Sequence, residues 1–118
     1  MREQFVPYEL ALKLKELGFN EDYLGVWMKD RSLVIKGEQL YDDIKAPLWQ
    51  QVFDWFRCQY SLHTEIRSYT AERFTFVIQE LKNTVKYIEY GGINNTFKTY
   101  QEARQSCLLK LIELCKKN

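Results

Sequence analysis

His63 is the chain's one histidine, and it stands five residues after Cys58. A thiol beside an imidazole is the pair that nucleophilic cysteine chemistry needs, the ring taking the thiol's proton. Here a predicted helix end separates the two, and no third residue is placed to orient the ring. Glu65 follows His63 by two residues, a spacing that a strand puts on one face as a matter of geometry. The three cysteines, Cys58, Cys107 and Cys115, are 49 and 8 residues apart. That spacing matches no local zinc motif. Each falls in a predicted amphipathic helix, which points to buried thiols. Asp42-Asp43 lacks the further oxygen ligands of a calcium loop. Gly91-Gly92 runs into Ile93-Asn94-Asn95 rather than Lys-Ser or Lys-Thr, which suits a hairpin turn and not a phosphate loop. These patterns assign no catalytic residue, no metal ligand and no cofactor.

What is left is binding chemistry. Trp27, Tyr41, Trp55 and Tyr60 are the aromatic side chains that best fit a protein interface, where Trp and Tyr concentrate. Arg67, Arg73, Lys82, Lys86 and Lys98 accompany Tyr69, Phe74, Phe76, Tyr87 and Tyr90, the residue types of a nucleic-acid-binding sheet. Glu65, Glu72, Glu80 and Glu89 lie among them and oppose a phosphate-attracting field. The leading expectation is a noncatalytic protein that contacts another protein or its own copy. The alternative is a nucleic-acid accessory protein using the basic region 67–98.

These side chains need elements to carry them. Pro7 opens a helix in which Leu10, Leu14 and Leu17 recur at helical spacing, and Gly18 ends it. Gly25–Met28 and Leu33–Ile35 read as short strands joined by a turn over residues 29–32, and residues 37–45 read as a polar surface loop. A second helix from Pro47 to about Tyr60 carries Trp49, Val52, Phe53, Phe56 and Tyr60 on one stripe, flanked by Leu48 and Trp55. Phe74, Phe76 and Ile78 alternate with Arg73, Thr75 and Val77, the two-residue period of a strand. Residues 64–69 and 84–90 supply its neighbours, and Gly91-Gly92 suggests a hairpin into Ile93–Phe97. The last helix starts at Thr99, with Glu102 completing a capping box. Ala103, Cys107, Leu111 and Leu114 line its inner face.

The sum is an α+β domain of about three helices packed on an antiparallel sheet of three or more strands. The chain has 118 residues, 46% of them hydrophobic, enough for a single globular domain spanning 1–118. Its net charge is +1, far from the basic excess of a dedicated nucleic-acid binder. The halves differ mildly: residues 1–60 hold eight basic and ten acidic side chains, residues 61–118 nine and six. No stretch approaches the length of a membrane span or a secretory leader, so a cytoplasmic location with no membrane association is expected.

Three segments carry a resemblance: FVPYELALKLKELGF (Phe5 to Phe19), APLWQQVFDWFR (Ala46 to Arg57) and YQEARQSCLLKLIELCKK (Tyr100 to Lys117). Together they resemble a group of small proteins encoded in prophages and other mobile elements of Bacteroides-type gut bacteria. The resemblance implies a phage or mobile-element context. That group has no established activity, cofactor or catalytic residue to carry onto these positions.

Overall fold

A computed structural model describes residues 2–21, 24–35, 44–82, 85–89 and 95–116. The chain is α+β, with three α-helices and two three-stranded antiparallel sheets among the described residues. It divides into two compact units, Met1–Val52 and Phe53–Asn118.

The first unit opens on a 3-10 turn, Arg2–Gln4, followed by helix α1, Tyr8–Leu17. Pro7 sits one position earlier than expected, as the N-cap in extended conformation, and its carbonyl accepts from Ala11 N. Leu10, Ala11 and Leu14 are the buried face. Gly18 ends the helix at φ 109°, a left-handed conformation that a side chain disfavours. Its N–H goes to the Lys15 carbonyl and that of Phe19 to the Leu14 carbonyl, the paired bonds of a Schellman cap. Phe19 thereby folds back and is buried.

Strands β1 (Gly25–Trp27), β2 (Leu33–Ile35) and β3 (Ile44–Ala46) form a sheet in the order β2-β1-β3. The β1–β2 turn is held by Asp30 Oδ1, which accepts from Ser32 N at 3.0 Å and Ser32 Oγ at 2.6 Å. Gly25 sits at a close approach: a Cβ there would lie 3.1 Å from Leu33 Cδ1 and 3.2 Å from Phe5 Cε1, so these side chains would have to give by a few tenths of an ångström. Strand β3 corrects the end of the loop expected over 37–45, because Ile44, Lys45 and Ala46 pair with Trp27, Val26 and Gly25, while residues 37–43 lie outside the described residues. α1 packs against β3.

Helix α2, Trp49–Tyr60, contributes Trp49 and Val52 to the core, both buried. The indole N–H of Trp49 donates to the Glu3 carbonyl at 3.1 Å. The boundary between the two units falls within this helix, after Val52.

In the second unit, Ser61 at φ 57° ends α2 and turns the chain into strand β4, Leu62–Thr70. Strands β5 (Arg73–Leu81) and β6 (Val85–Glu89) follow, in the order β4-β5-β6. Thr75, Phe76, Val77 and Ile78 are buried in succession, so both faces of central β5 are covered there. Phe97 extends the edge beyond β6 by bridging Phe74, with N–H to carbonyl bonds of 2.8 and 2.7 Å in the two directions.

Helix α3, Tyr100–Cys115, packs on β4 and β5, with Tyr100 meeting the Phe74 ring edge-on at 6.2 Å. Ala103, Cys107, Leu108, Leu111 and Ile112 are its buried residues. Thr99 Oγ1 accepts from Glu102 N at 3.0 Å. The return bond differs from the expected capping box: the Glu102 carboxylate accepts from Lys98 N, one residue before the cap.

Candidate interaction surface

The alternation of β4 puts His63, Glu65 and Arg67 on one face and Leu62, Thr64 and Ile66 on the other. Cross-strand pairing extends the first row, because His63 lies opposite Gln79 and Gln79 opposite Tyr87. The result is a polar row along β4 with a half-buried imidazole at one end and exposed Arg67 at the other, and exposed Tyr87 on β6 on the same face.

The row is internally wired. Arg57 Nη1 lies 3.2 Å from His63 Nδ1. A guanidinium has only donors, so Nδ1 must accept and the neutral ring carries its proton on Nε2. That nitrogen faces Glu65 Oε2 at 3.5 Å. Glu65 Oε1 takes the Arg67 guanidinium at 2.6 and 2.7 Å. This hydrogen bond, aided by the charge of Arg67 and by His63, holds the Glu65 carboxyl below the ordinary carboxylate value. The same pairing raises Arg67, with a smaller contribution from Tyr87. Both ring nitrogens of His63 are therefore engaged by protein groups.

The interface residues expected from sequence divide. Trp27 is a correction: it is 3% exposed in central strand β1, and its indole N–H donates to the Val6 carbonyl at 2.9 Å. It serves the core and presents no accessible ring. Tyr41 lies outside the described residues. Trp55 and Tyr60 are half-buried on α2 and meet edge-on, ring centroids 5.5 Å apart. Phe56 completes the cluster, 5.0 Å from Trp55 and 5.8 Å from Tyr60, and is itself fully buried.

The five basic candidates are dispersed. Arg67 is paired to Glu65. Arg73 is a structural clamp, its Nε and Nη2 donating to Thr96 Oγ1 at 3.1 and 2.9 Å and Nη2 also to the Thr96 carbonyl at 3.1 Å. Lys82 lies 3.5 Å from Glu80. Lys86 and Lys98 are exposed. Arg67 and Arg73 belong to the His63 face, whereas Lys86 pairs with Glu80 on the opposite pleat, so the set makes no single row.

Cys58 is a second correction. It is exposed, while Cys107 is buried and Cys115 is half-buried, and none of the three forms a disulfide. Burial pushes Cys115 up to about 11. Asp42, Asp43 and Gly91-Gly92 lie outside the described residues. Among the described residues no three His, Cys, Asp or Glu side chains converge as metal ligands, and no helix is long and apolar enough to cross a membrane.

What sequence reading missed is the wiring of Arg57 to His63 across the α2–β4 turn. The signal was the six-residue spacing over a helix end followed by Ser61 in a left-handed conformation, which a sequence pattern does not announce. Compared with known proteins, the chain matches no family model, no curated protein and no solved structure.

Proposed function

We propose that this chain is a noncatalytic protein-interaction or accessory protein of a phage or mobile element, acting in the cytoplasm on another protein. The observation that carries this reading is the Trp55–Tyr60 pair, two large aromatic rings held together on α2 and still half-exposed. Trp and Tyr give much contact area for little lost side-chain freedom, which makes them interface anchors. Further support comes from His63, whose two nitrogens are already committed to Arg57 and Glu65. Three cysteines without a disulfide suit a reducing compartment. The mobile-element context rests on the resemblance of the three helical segments.

The test places a photo-crosslinking amino acid at exposed Gln59, between Trp55 and Tyr60 in the same helix, and at exposed Glu113 on α3 as control. Both variants are irradiated in a Bacteroides-type host. The expected result is a discrete protein adduct from position 59 alone, lost when Trp55→Ala is added. Equal adducts from both positions, or adducts that nuclease removes, would overturn the reading, the second in favour of nucleic acid.

A further inference from the structure

Among the described residues, β4 pairs on one side alone, with β5. At nine residues it is the longest of the described edge strands, against five in β6 and three each in β2 and β3. Two sets of bonds give the direction of its remaining backbone groups. The Ser61 carbonyl accepts from Leu81 N at 2.8 Å, so it points at β5, and the Leu62 N–H on the same peptide plane points away. On the far side of β5, Phe74 exchanges both bonds with Phe97, so Phe74 faces away from β4 and Thr75 faces toward it, opposite Arg67. Antiparallel pairing alternates in this way along the whole ladder. His63, Glu65 and Arg67 therefore turn N–H and carbonyl to β5, while Leu62, Thr64, Ile66 and Ser68 turn theirs to the outer edge.

Such a row is a template for another strand, and proteins commonly blunt it with Lys, Pro or a bulge. Residues 62–70 contain neither Lys nor Pro, and the register shift comes only after Ser68. Every residue from Arg67 to Thr70 is exposed. The carboxylate and the guanidinium on the strand are Glu65 and Arg67, with Ile66 between them and side chains 40% and 49% exposed.

We propose that β4 pairs antiparallel with β4 of a second copy of this chain, about a two-fold axis at Ile66. Ile66 then faces Ile66 and Thr64 faces Ser68, all with outward N–H and carbonyl groups that meet in hydrogen-bonding phase. Glu65 of each copy faces Arg67 of the other at the closer, non-hydrogen-bonded positions. Each carboxylate lies between its own Arg67, already at 2.6 Å, and that of the second copy. Opposite charges facing across strands stabilise a pairing and like charges oppose it. Moving the axis by one residue puts Glu65 on Glu65 or Arg67 on Arg67, so charge selects the register along with the partner. The contact is isologous and closes at two copies. It uses neither Trp55 nor Tyr60, so it stands apart from the proposed site for another protein.

The experiment is sedimentation equilibrium of the full chain from about 10 μM to 1 mM, the range for a small interface, in reducing buffer so that exposed Cys58 forms no disulfide. The parent is expected to pass from monomer to dimer within it. Ser68→Pro removes an outward N–H on an exposed residue and should weaken the dimer about fivefold or more. Glu65→Arg and Arg67→Glu each set like charges opposite one another and should each weaken it about tenfold or more. Mixed in equal amounts, these two charge variants regain a carboxylate opposite a guanidinium at both positions, and the dimer should return to near the parent's affinity. That recovery also shows both variants to be folded; where circular dichroism shows one unfolded, Ser68→Pro carries the test. A parent that stays monomeric at the top of the range, variant dimers as strong as the parent's, or a mixture of folded charge variants that does not recover would overturn the proposal.

Discussion

The buried indole of Trp27 shows how one polar atom fixes a core side chain. Its N–H meets the Val6 carbonyl at 2.9 Å, and Val6 is itself fully buried. Trp27→Phe removes the donor and leaves that carbonyl acceptor short of a partner. The expected loss is about 1–3 kcal/mol, read from urea unfolding, and no change in midpoint would show that the bond contributes nothing. The thiols separate by environment in the same way. Cys58 is exposed, Cys107 buried, and Cys115 raised to about 11, which leaves a thiolate fraction on the order of 10⁻³ at pH 8. One fast-reacting thiol is expected with a disulfide reagent, and Cys58→Ser should abolish that phase; persistence of the phase would place the reactive thiol elsewhere. The exposure of Cys58 was legible from sequence, because it sits about 200° around the helix from Phe56. The burial of Trp27 was legible too, in the unbroken Gly25-Val26-Trp27 run that lacks the alternation of a half-exposed strand. The surplus of aromatics drew attention away from both signals.

Element ends were read well where their causes are local. Gly18 and Thr99 act through bonds within a few residues, so the sequence window contains the whole device. Gly18→Ala is expected to cost about 1–2 kcal/mol through the left-handed conformation alone, since a Cβ there would touch nothing within 4 Å. Thr99→Ala is expected to cost about 1 kcal/mol by orphaning Glu102 N. Thermal or urea unfolding checks both, and a neutral Gly18→Ala would mean that the chain relaxes out of that conformation. Strand β3 was not legible because the alternation of Ile44-Lys45-Ala46 is only three residues long; its partner β1 lies far back in the chain and confers its structure by pairing. Along β4, the His63–Glu65–Arg67 row makes a pH prediction. The Glu65 carboxyl is lower in the folded chain than its ordinary value of 4.5. Its contribution is therefore present above that value and is lost as pH falls through the lowered folded one. The stability difference between parent and Glu65→Gln should shrink as pH falls below about 4.5. A difference independent of pH would disconnect Arg67 from Glu65. Glu3 and Asp30 are lowered as well, so the variant comparison is needed to isolate this row.

At the scale of the whole chain, the two units are built on different amounts of regular structure. The sheet of Met1–Val52 has strands of three residues each, and β1 is paired on both sides over only that length. In Phe53–Asn118, β4 and β5 run nine residues each, and the middle of β5 is buried on both faces. Opening a three-residue strand breaks few bonds and exposes little apolar surface. Opening β5 breaks two ladders and uncovers Phe76, Val77 and Ile78 together. Local opening follows such differences, with well-buried central strands exchanging only through the larger unfolding events. The amides of Phe76, Val77 and Ile78 are therefore expected to exchange with solvent deuterium more slowly than those of Val26 and Val34, by at least about tenfold, which corresponds to roughly 1.4 kcal/mol in opening free energy. Equal protection across β1 and β5 would mean that the short sheet opens only when the long one does.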